Sequence, residues 1–277
     1  MFISSDLVFM ELHKTGCTHI RVLLNELLDG EFVGGHNQAS SDLFNQGKVF
    51  LGSIRDPWEW YLSLWAYGCD KKGAIYNSVT KDRVEKPPLV KSKKTPYAKF
   101  ISLFANHSKH HHKWLETYND VNDAEAFRTW LSMMHNPKYR MELREGYGAS
   151  SISHTAGLLT FRYLKLFCTK AGELEQLSHL STPSQIRRYE REFCFINHFI
   201  RNECLEEDLF RVLGHFSVDI SADKKGDILL REKRNTSSKK HGSAFYYDKK
   251  SEKLVTKREQ LIIDKFGYIA PSLQQKA

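Results

Sequence analysis

The stretch that most constrains this chain is "LVFMELHKTGCTHIRVLLNELLDG", residues 7–30. An apolar run ends abruptly in Lys14-Thr15-Gly16-Cys17-Thr18, and apolar residues then recur at Ile20, Leu23, Leu24, Leu27 and Leu28 with helical spacing. The pattern predicts a buried strand over 7–12, a tight turn, and a helix over about 17–29 that stops at Gly30. A chain that turns directly from a buried strand into an amphipathic helix is committed to a layered α/β arrangement. The turn also carries chemistry. Amides at a helix start point outward unpaired, the helix dipole adds partial positive charge, and Lys14 supplies a full one, which together suit an anion. Threonine is also an ordinary helix cap, so the turn alone fits a plain connection equally well. Because the lysine precedes the glycine, the G-x-x-x-x-G-K-[ST] loop of ATP- and GTP-binding proteins is absent.

A short second strand is expected at 31–33, before Gly34-Gly35 and His36, and a third at 48–54, "KVFLGSI". Asp56 as cap and Pro57 at the first helical position then start a helix whose Trp58, Tyr61, Leu62 and Trp65 share one face. This order of elements in the first 67 residues predicts a central parallel sheet, flanked by helices, with right-handed crossovers. Arg55 closes the third strand, and Ser63 lies two turns into the helix on the separate face of residues 59, 63 and 66. The two can grip one phosphate, the guanidinium giving paired charge-assisted bonds. Alternatively, Arg55 pairs with a carboxylate and Ser63 is a small packing residue.

Residues 69–96 are basic, proline-punctuated and weakly periodic, and read as a long excursion over the mouth of a site. Helices are expected near 97–106, 124–134 and 154–171, a late strand near 195–202, and helices at 204–213 and 251–266; residues 224–243 are polar and basic. The whole, residues 1–277, reads as one domain with 69–190 as an acceptor-binding excursion. The net charge of +8 favours an anionic partner: a nucleotide, a sulfated glycan, nucleic acid or an acidic membrane surface. Lysine-rich pieces are dispersed and match no nucleic-acid reader, so nucleic acid is not the expected partner. The five cysteines are scattered without a C-x-x-C, which suggests neither a zinc ribbon nor a redox pair, and free thiols imply a reducing compartment. No apolar run reaches membrane-spanning length and no charged-then-apolar leader opens the chain, so a soluble, cytoplasmic protein is expected. Asn106 and Asn235 open N-glycosylation patterns that matter only in a secretory compartment. The histidines of "HSKHHHKW", 107–114, diverge without a carboxylate partner and read as a solvated basic surface rather than a metal site.

Taken together, the two strand–helix junctions resemble the sulfotransferases that use 3′-phosphoadenosine 5′-phosphosulfate, most closely the carbohydrate branch that includes the heparan sulfate 2-O-sulfotransferases. His13-Lys14-Thr15-Gly16-Cys17-Thr18 stands where that family has P-K-T-G-[GT]-[ST], and Arg55-Asp56-Pro57-Trp58 with Ser63 matches its R-[DN]-P junction. "FIRNECLEEDLFRVLGHF", 199–216, is similar to the family's late strand and acidic helix start. Residues 234–268 are similar to its C-terminal pattern of Asn-x-Ser, a tyrosine–aspartate pair and a closing helix that ends in Phe-Gly-Tyr. His13 and Cys17 depart from the pattern, although a cysteine still offers its backbone amide. Residues 69–190 match no part of it.

The resemblance implies a P-loop-NTPase-like core, the phosphosulfate nucleotide as donor, no metal, and an acceptor hydroxyl on a carbohydrate. It implies donor contacts from Lys14, Thr15, Gly16, Cys17, Thr18 and His19 at the 5′ end and from Arg55 and Ser63 at the 3′-phosphate. Asn235 and Ser237 join them from the C-terminal segment. Lys14 meets the charge that builds on the leaving phosphate. For the general base, "EFVGGHNQAS" offers His36, similar to the glycine–histidine turn of the 2-O-sulfotransferases, whereas several relatives use glutamate. Histidine suits the task because its ordinary pKa lies nearest neutrality. Glu11, His13 and His19 are the competing bases. Two other functions stay open: a nucleotide or small-molecule kinase of the same fold, and a non-enzymatic basic module that binds glycan or nucleic acid.

Overall fold

The computed structural model describes residues 1–80, 110–143, 145–231 and 241–274. Its centre is a five-stranded sheet in the order β3-β1-β2-β4-β5, formed by Phe2–Ser4 (β1), Leu7–Met10 (β2), Gly30–Phe32 (β3), Val49–Ile54 (β4) and His198–Arg201 (β5). Side chains on β2 alternate between two cores, as strand geometry requires. Val8 and Met10 join Phe50 and Ile54 on one face; Leu7 and Phe9 join Leu51 and Ile200 on the other. Helices Cys17–Leu27 and Leu205–Gly214 cover the second face through Ile20, Leu23, Leu24, Leu209 and Val212. Helices Pro57–Cys69, Ala124–His135, Leu158–Phe167 and Pro183–Phe193 build the first, larger core.

The sheet is mixed, which corrects the expectation of a parallel one. β2, β4 and β5 are mutually parallel, but β1 runs against both of its neighbours, with Phe2 opposite Phe9 on one side and Phe32 on the other. β1 is only three residues long, and its turn through Ser5 and Asp6 lacks the Asn-Gly or Asp-Gly signal that betrays a hairpin. Gly30, expected to stop the first helix, is a strand residue instead. A Cβ there would lie 2.5 Å from the Phe2 ring and 2.6 Å from the Ile3 carbonyl oxygen, so glycine is what lets β1 approach. Since β1 is antiparallel to both β2 and β3, β3 points the same way as β2, β4 and β5, and all four release their chains at one edge.

The helix after Arg55 starts as its sequence predicts, with the Asp56 carboxylate accepting from the Trp58 and Glu59 amides at 2.8 and 3.0 Å. It is buried nearly all round, however: Trp60, Ser63, Leu64 and Ala66 are enclosed along with the expected stripe. Two long expected helices are each broken in two, and the breaks explain one another. Gly157 precedes Leu158–Phe167, and Glu259 separates Lys249–Arg258 from Gln260–Phe266. The fully buried Glu259 carboxylate accepts from the Thr160 amide (2.8 Å), the Thr160 hydroxyl (2.6 Å) and the Leu159 amide (3.3 Å), and so caps the helix of the other segment. A Cβ on Gly157 would lie 1.9 Å from that carboxylate. Helix Pro183–Phe193, opened by a Thr182/Gln185 capping box, and the short helices Ala74–Thr80 and Ala222–Leu229 are not among the expected elements. The helix expected at 97–106 lies outside the described residues. Among the described residues no helix is long and apolar enough to cross a membrane.

Candidate functional site

The site is built where the strands end. β2 leads into Glu11–Gly16, β3 into Val33–His36, β4 into Arg55–Asp56, and β5 into Asn202–Glu203, so four connections share the carboxyl edge at which open α/β sheets take their ligands. The loop after β2 is tightly folded: Lys14 and Gly16 both have positive φ, 64° and 78°. Thr15, fully buried, donates to the Leu12 carbonyl and meets the Ser53 hydroxyl, each at 2.6 Å. Thr15 is thus a structural pin that turns its neighbours outward. Gly16 is the N-cap of helix Cys17–Leu27, which has no side-chain cap; the His19 amide turns back onto the Gly16 carbonyl at 2.9 Å, so a ligand at this helix start would meet the Cys17 and Thr18 amides. A Cβ on Gly16 would lie 2.5 Å from Leu205 Cδ1 and 2.7 Å from Asn202 Nδ2, so the connection after β5 packs directly on the turn.

Lys14 and Arg55 meet here. The Arg55 guanidinium donates from Nη1 to the Lys14 carbonyl (3.4 Å) and from Nη2 to Glu59 Oε2 (3.1 Å). Lys14 Nζ lies 3.9 Å from the centre of the Tyr67 ring. Burial, and then the Arg55 charge, bring the Lys14 ammonium down to about 8. Arg55 therefore has the carboxylate partner that a structural role would give it, and it also joins the two strand–helix junctions. Ser63 is buried one turn beyond Glu59. Asp56 and Glu203 add negative charge nearby: the Asp56 amide donates to Glu203 Oε1 at 2.7 Å, and burial pushes the Asp56 carboxyl up to about 6. Cys17 is half-buried, its thiol raised by burial to about 11. Thr18 is exposed at the start of the helix. His19 is engaged by a carboxylate, its Nε2 3.0 Å from Glu206 Oε1. Asn235 and Ser237 lie outside the described residues.

A second cluster sits beside the first. His36 is held at φ 57°, after Gly34 at φ 87°, with its Nδ1 3.0 Å from the Glu11 carbonyl oxygen. A carbonyl only accepts, so Nδ1 carries the hydrogen and Nε2 is left as a base. Burial lowers the His36 pKa from its ordinary value. Its ring stacks on His13 at 3.5 Å and 14°. Burial, then Arg162 and His36, keep His13 neutral, and its buried Nδ1 has no hydrogen-bond partner among the described residues. The Glu11 side chain accepts from the Met1 amino group (3.2 Å) and Arg21 (3.4 Å). Of the four candidate bases, His36 has the favourable tautomer, while His19 and Glu11 are engaged by charged partners.

Sequence reasoning missed Tyr67, Ser53, Glu145 and Arg162. The Arg162 side chain is almost fully buried and forms a two-point pair with Glu145 at 2.6 and 3.0 Å, its Nη1 lacking a partner among the described residues. Burial alone would raise the Glu145 carboxyl, but Arg162 and then Lys165 and His36 hold it below its usual range. The available signal was one arginine inside the apolar "LLTFRYLKLF", since a charge on such a helix needs a partner. The histidine stretch also differs from expectation: His110 Nδ1 lies 2.8 Å from Glu142 Oε1, which in turn receives the His110 amide at 3.2 Å. Comparison of the chain with protein-family models, curated proteins and solved structures gives no match.

Proposed function

We propose that the chain is a sulfotransferase with a P-loop-NTPase-like core, which moves the sulfuryl group of 3′-phosphoadenosine 5′-phosphosulfate to a hydroxyl of a carbohydrate. The observation that carries this reading is the junction of Lys14 and Arg55. The uncapped helix start after β2 and the arginine after β4 are joined by the Arg55–Lys14 hydrogen bond, so cations for both ends of a bisphosphorylated nucleotide lie on one edge. The donor brings an activated sulfuryl group. Lys14 and the amides of Cys17 and Thr18 meet the negative charge that grows on the leaving phosphate, without having to reorganise. Arg55 exchanges Glu59 for the 3′-phosphate and keeps a two-point contact. His36 Nε2 takes the acceptor proton as the oxygen attacks in line; phosphoryl transfer is the nearest analogue. His13 stacks behind that ring and limits its rotation.

A transfer assay tests the proposal. Radiolabelled sulfate supplied on the nucleotide donor should appear on at least one member of a panel of glycans, phenols, steroids and peptides, and no label should move from ATP. Phosphate transfer from ATP would make the protein a kinase. Retention on heparin with no transfer from either donor would make it a binding module.

A further inference from the structure

The fold brings together two cysteines that lie far apart in the chain. Cys168 ends helix Leu158–Phe167 and Cys194 ends helix Pro183–Phe193; the Phe195 amide donates to the Phe167 carbonyl at 3.1 Å and pins the two helix ends side by side. Both are unpaired thiols, Cys168 buried and Cys194 half-buried, carried on the two helix ends that this backbone bond joins. The Cys194 sulfur faces the Tyr163 hydroxyl at 3.4 Å and the Lys265 ammonium at 3.9 Å. Glu190 is the opposing charge, and its Oε1 accepts from Tyr163 at 2.8 Å and from Lys265.

We propose that Cys194 is a peroxide-reactive thiol with Cys168 as its resolving partner, an oxidative modification site that closes to a Cys168–Cys194 disulfide. A thiolate is the nucleophile in peroxide chemistry, and donors and a cation around the sulfur favour that form. Hydrogen bonding from Cys168 and the Ile196 amide, with the Lys265 charge, brings Cys194 down to about 6 against the effect of burial, while the Tyr163 hydrogen is committed to Glu190. Cys17, Cys69 and Cys204 are all raised instead. The Cys194 thiolate attacks one oxygen of hydrogen peroxide; the O–O bond breaks, hydroxide leaves, and the sulfur becomes a sulfenic acid. The Cys168 thiol then attacks that sulfur, the S–S bond forms, and the sulfenic oxygen leaves as water with the thiol proton. The two sulfurs together lose two electrons, and peroxide is reduced to water. This inference does not depend on the proposed transfer reaction.

Mass spectrometry of the full chain tests it, after treatment with equimolar hydrogen peroxide and blocking of the remaining thiols. A linked peptide joining Cys168 to Cys194 is expected, with Cys17, Cys69 and Cys204 blocked. Cys168→Ser should leave a sulfenic acid at Cys194 that dimedone traps; Cys194→Ser should lose both the link and the adduct. In the untreated wild type, Cys194 should alkylate at neutral pH at least about tenfold faster than Cys204, and Lys265→Met should slow it. Alkylation no faster than at Cys204, or both thiols still free after peroxide, overturns the proposal. A dimedone adduct on wild-type Cys194 without the link overturns the role of Cys168.

Discussion

Arg55 is held by Glu59 and by the Lys14 carbonyl, and this pairing sets the sign of two opposite mutations. If Arg55 grips a 3′-phosphate, Arg55→Ala should weaken adenosine 3′,5′-bisphosphate by about 2–3 kcal/mol and leave AMP nearly unchanged. Glu59→Gln should tighten the bisphosphate, because its competitor for the guanidinium is gone. Equal losses for both nucleotides in Arg55→Ala would make the arginine structural. Lys14 makes a pH prediction. Its ammonium in the free protein loses its proton above about 8, so binding an anion there must first restore that proton. Affinity should be flat below that point and fall by up to about tenfold per pH unit above it, and Lys14→Arg should flatten the curve. Titration calorimetry in buffers of different ionisation heat reads the proton uptake directly. For His36, burial shifts the group toward neutrality, so the acid limb of kcat/KM should fall below the ordinary histidine range. His36→Ala should reduce transfer by at least about 10²-fold with nucleotide affinity intact. Full transfer in that variant would move the role of base elsewhere.

Among the elements, those the sequence made legible are those whose signals are local. The strand–turn–helix at Leu7–Leu27 and the Asp56-Pro57 helix start announce themselves through periodicity and capping chemistry. β1, the Gly157 and Glu259 breaks and the Arg162–Glu145 pair were not legible, because each depends on a partner distant in the chain. Gly16 illustrates the difference: a turn glycine was plain from the sequence, but the contact from Asn202 and Leu205 that excludes a Cβ was not. Gly16→Ala should therefore be destabilising by more than about 1 kcal/mol, from φ strain and overlap together. Glu259→Ala uncaps a buried helix and leaves Tyr61 and Thr160 without their acceptor, so a loss of about 3 kcal/mol is expected. Denaturant midpoints measure both; a change below about 0.5 kcal/mol in either would contradict the packing argument.

For the molecule as a whole, topology decides what the loops can do together. The reversed β1 restores β3 to the common direction, and the loop with His36 therefore opens on the same edge as Lys14 and Arg55. The three candidate positions were legible as residues that follow strands; their company was not, since the mixed sheet and the His13 stack are long-range features. The most direct measurement is a titration of the intact protein with adenosine 3′,5′-bisphosphate, ADP, AMP and ATP with magnesium, read by thermal shift and calorimetry. The bisphosphate should bind at least about 30-fold more tightly than AMP, and most of this margin should disappear in Arg55→Ala. A preference for ATP with magnesium, or equal affinity for nucleotides with and without the 3′-phosphate, would contradict that expectation.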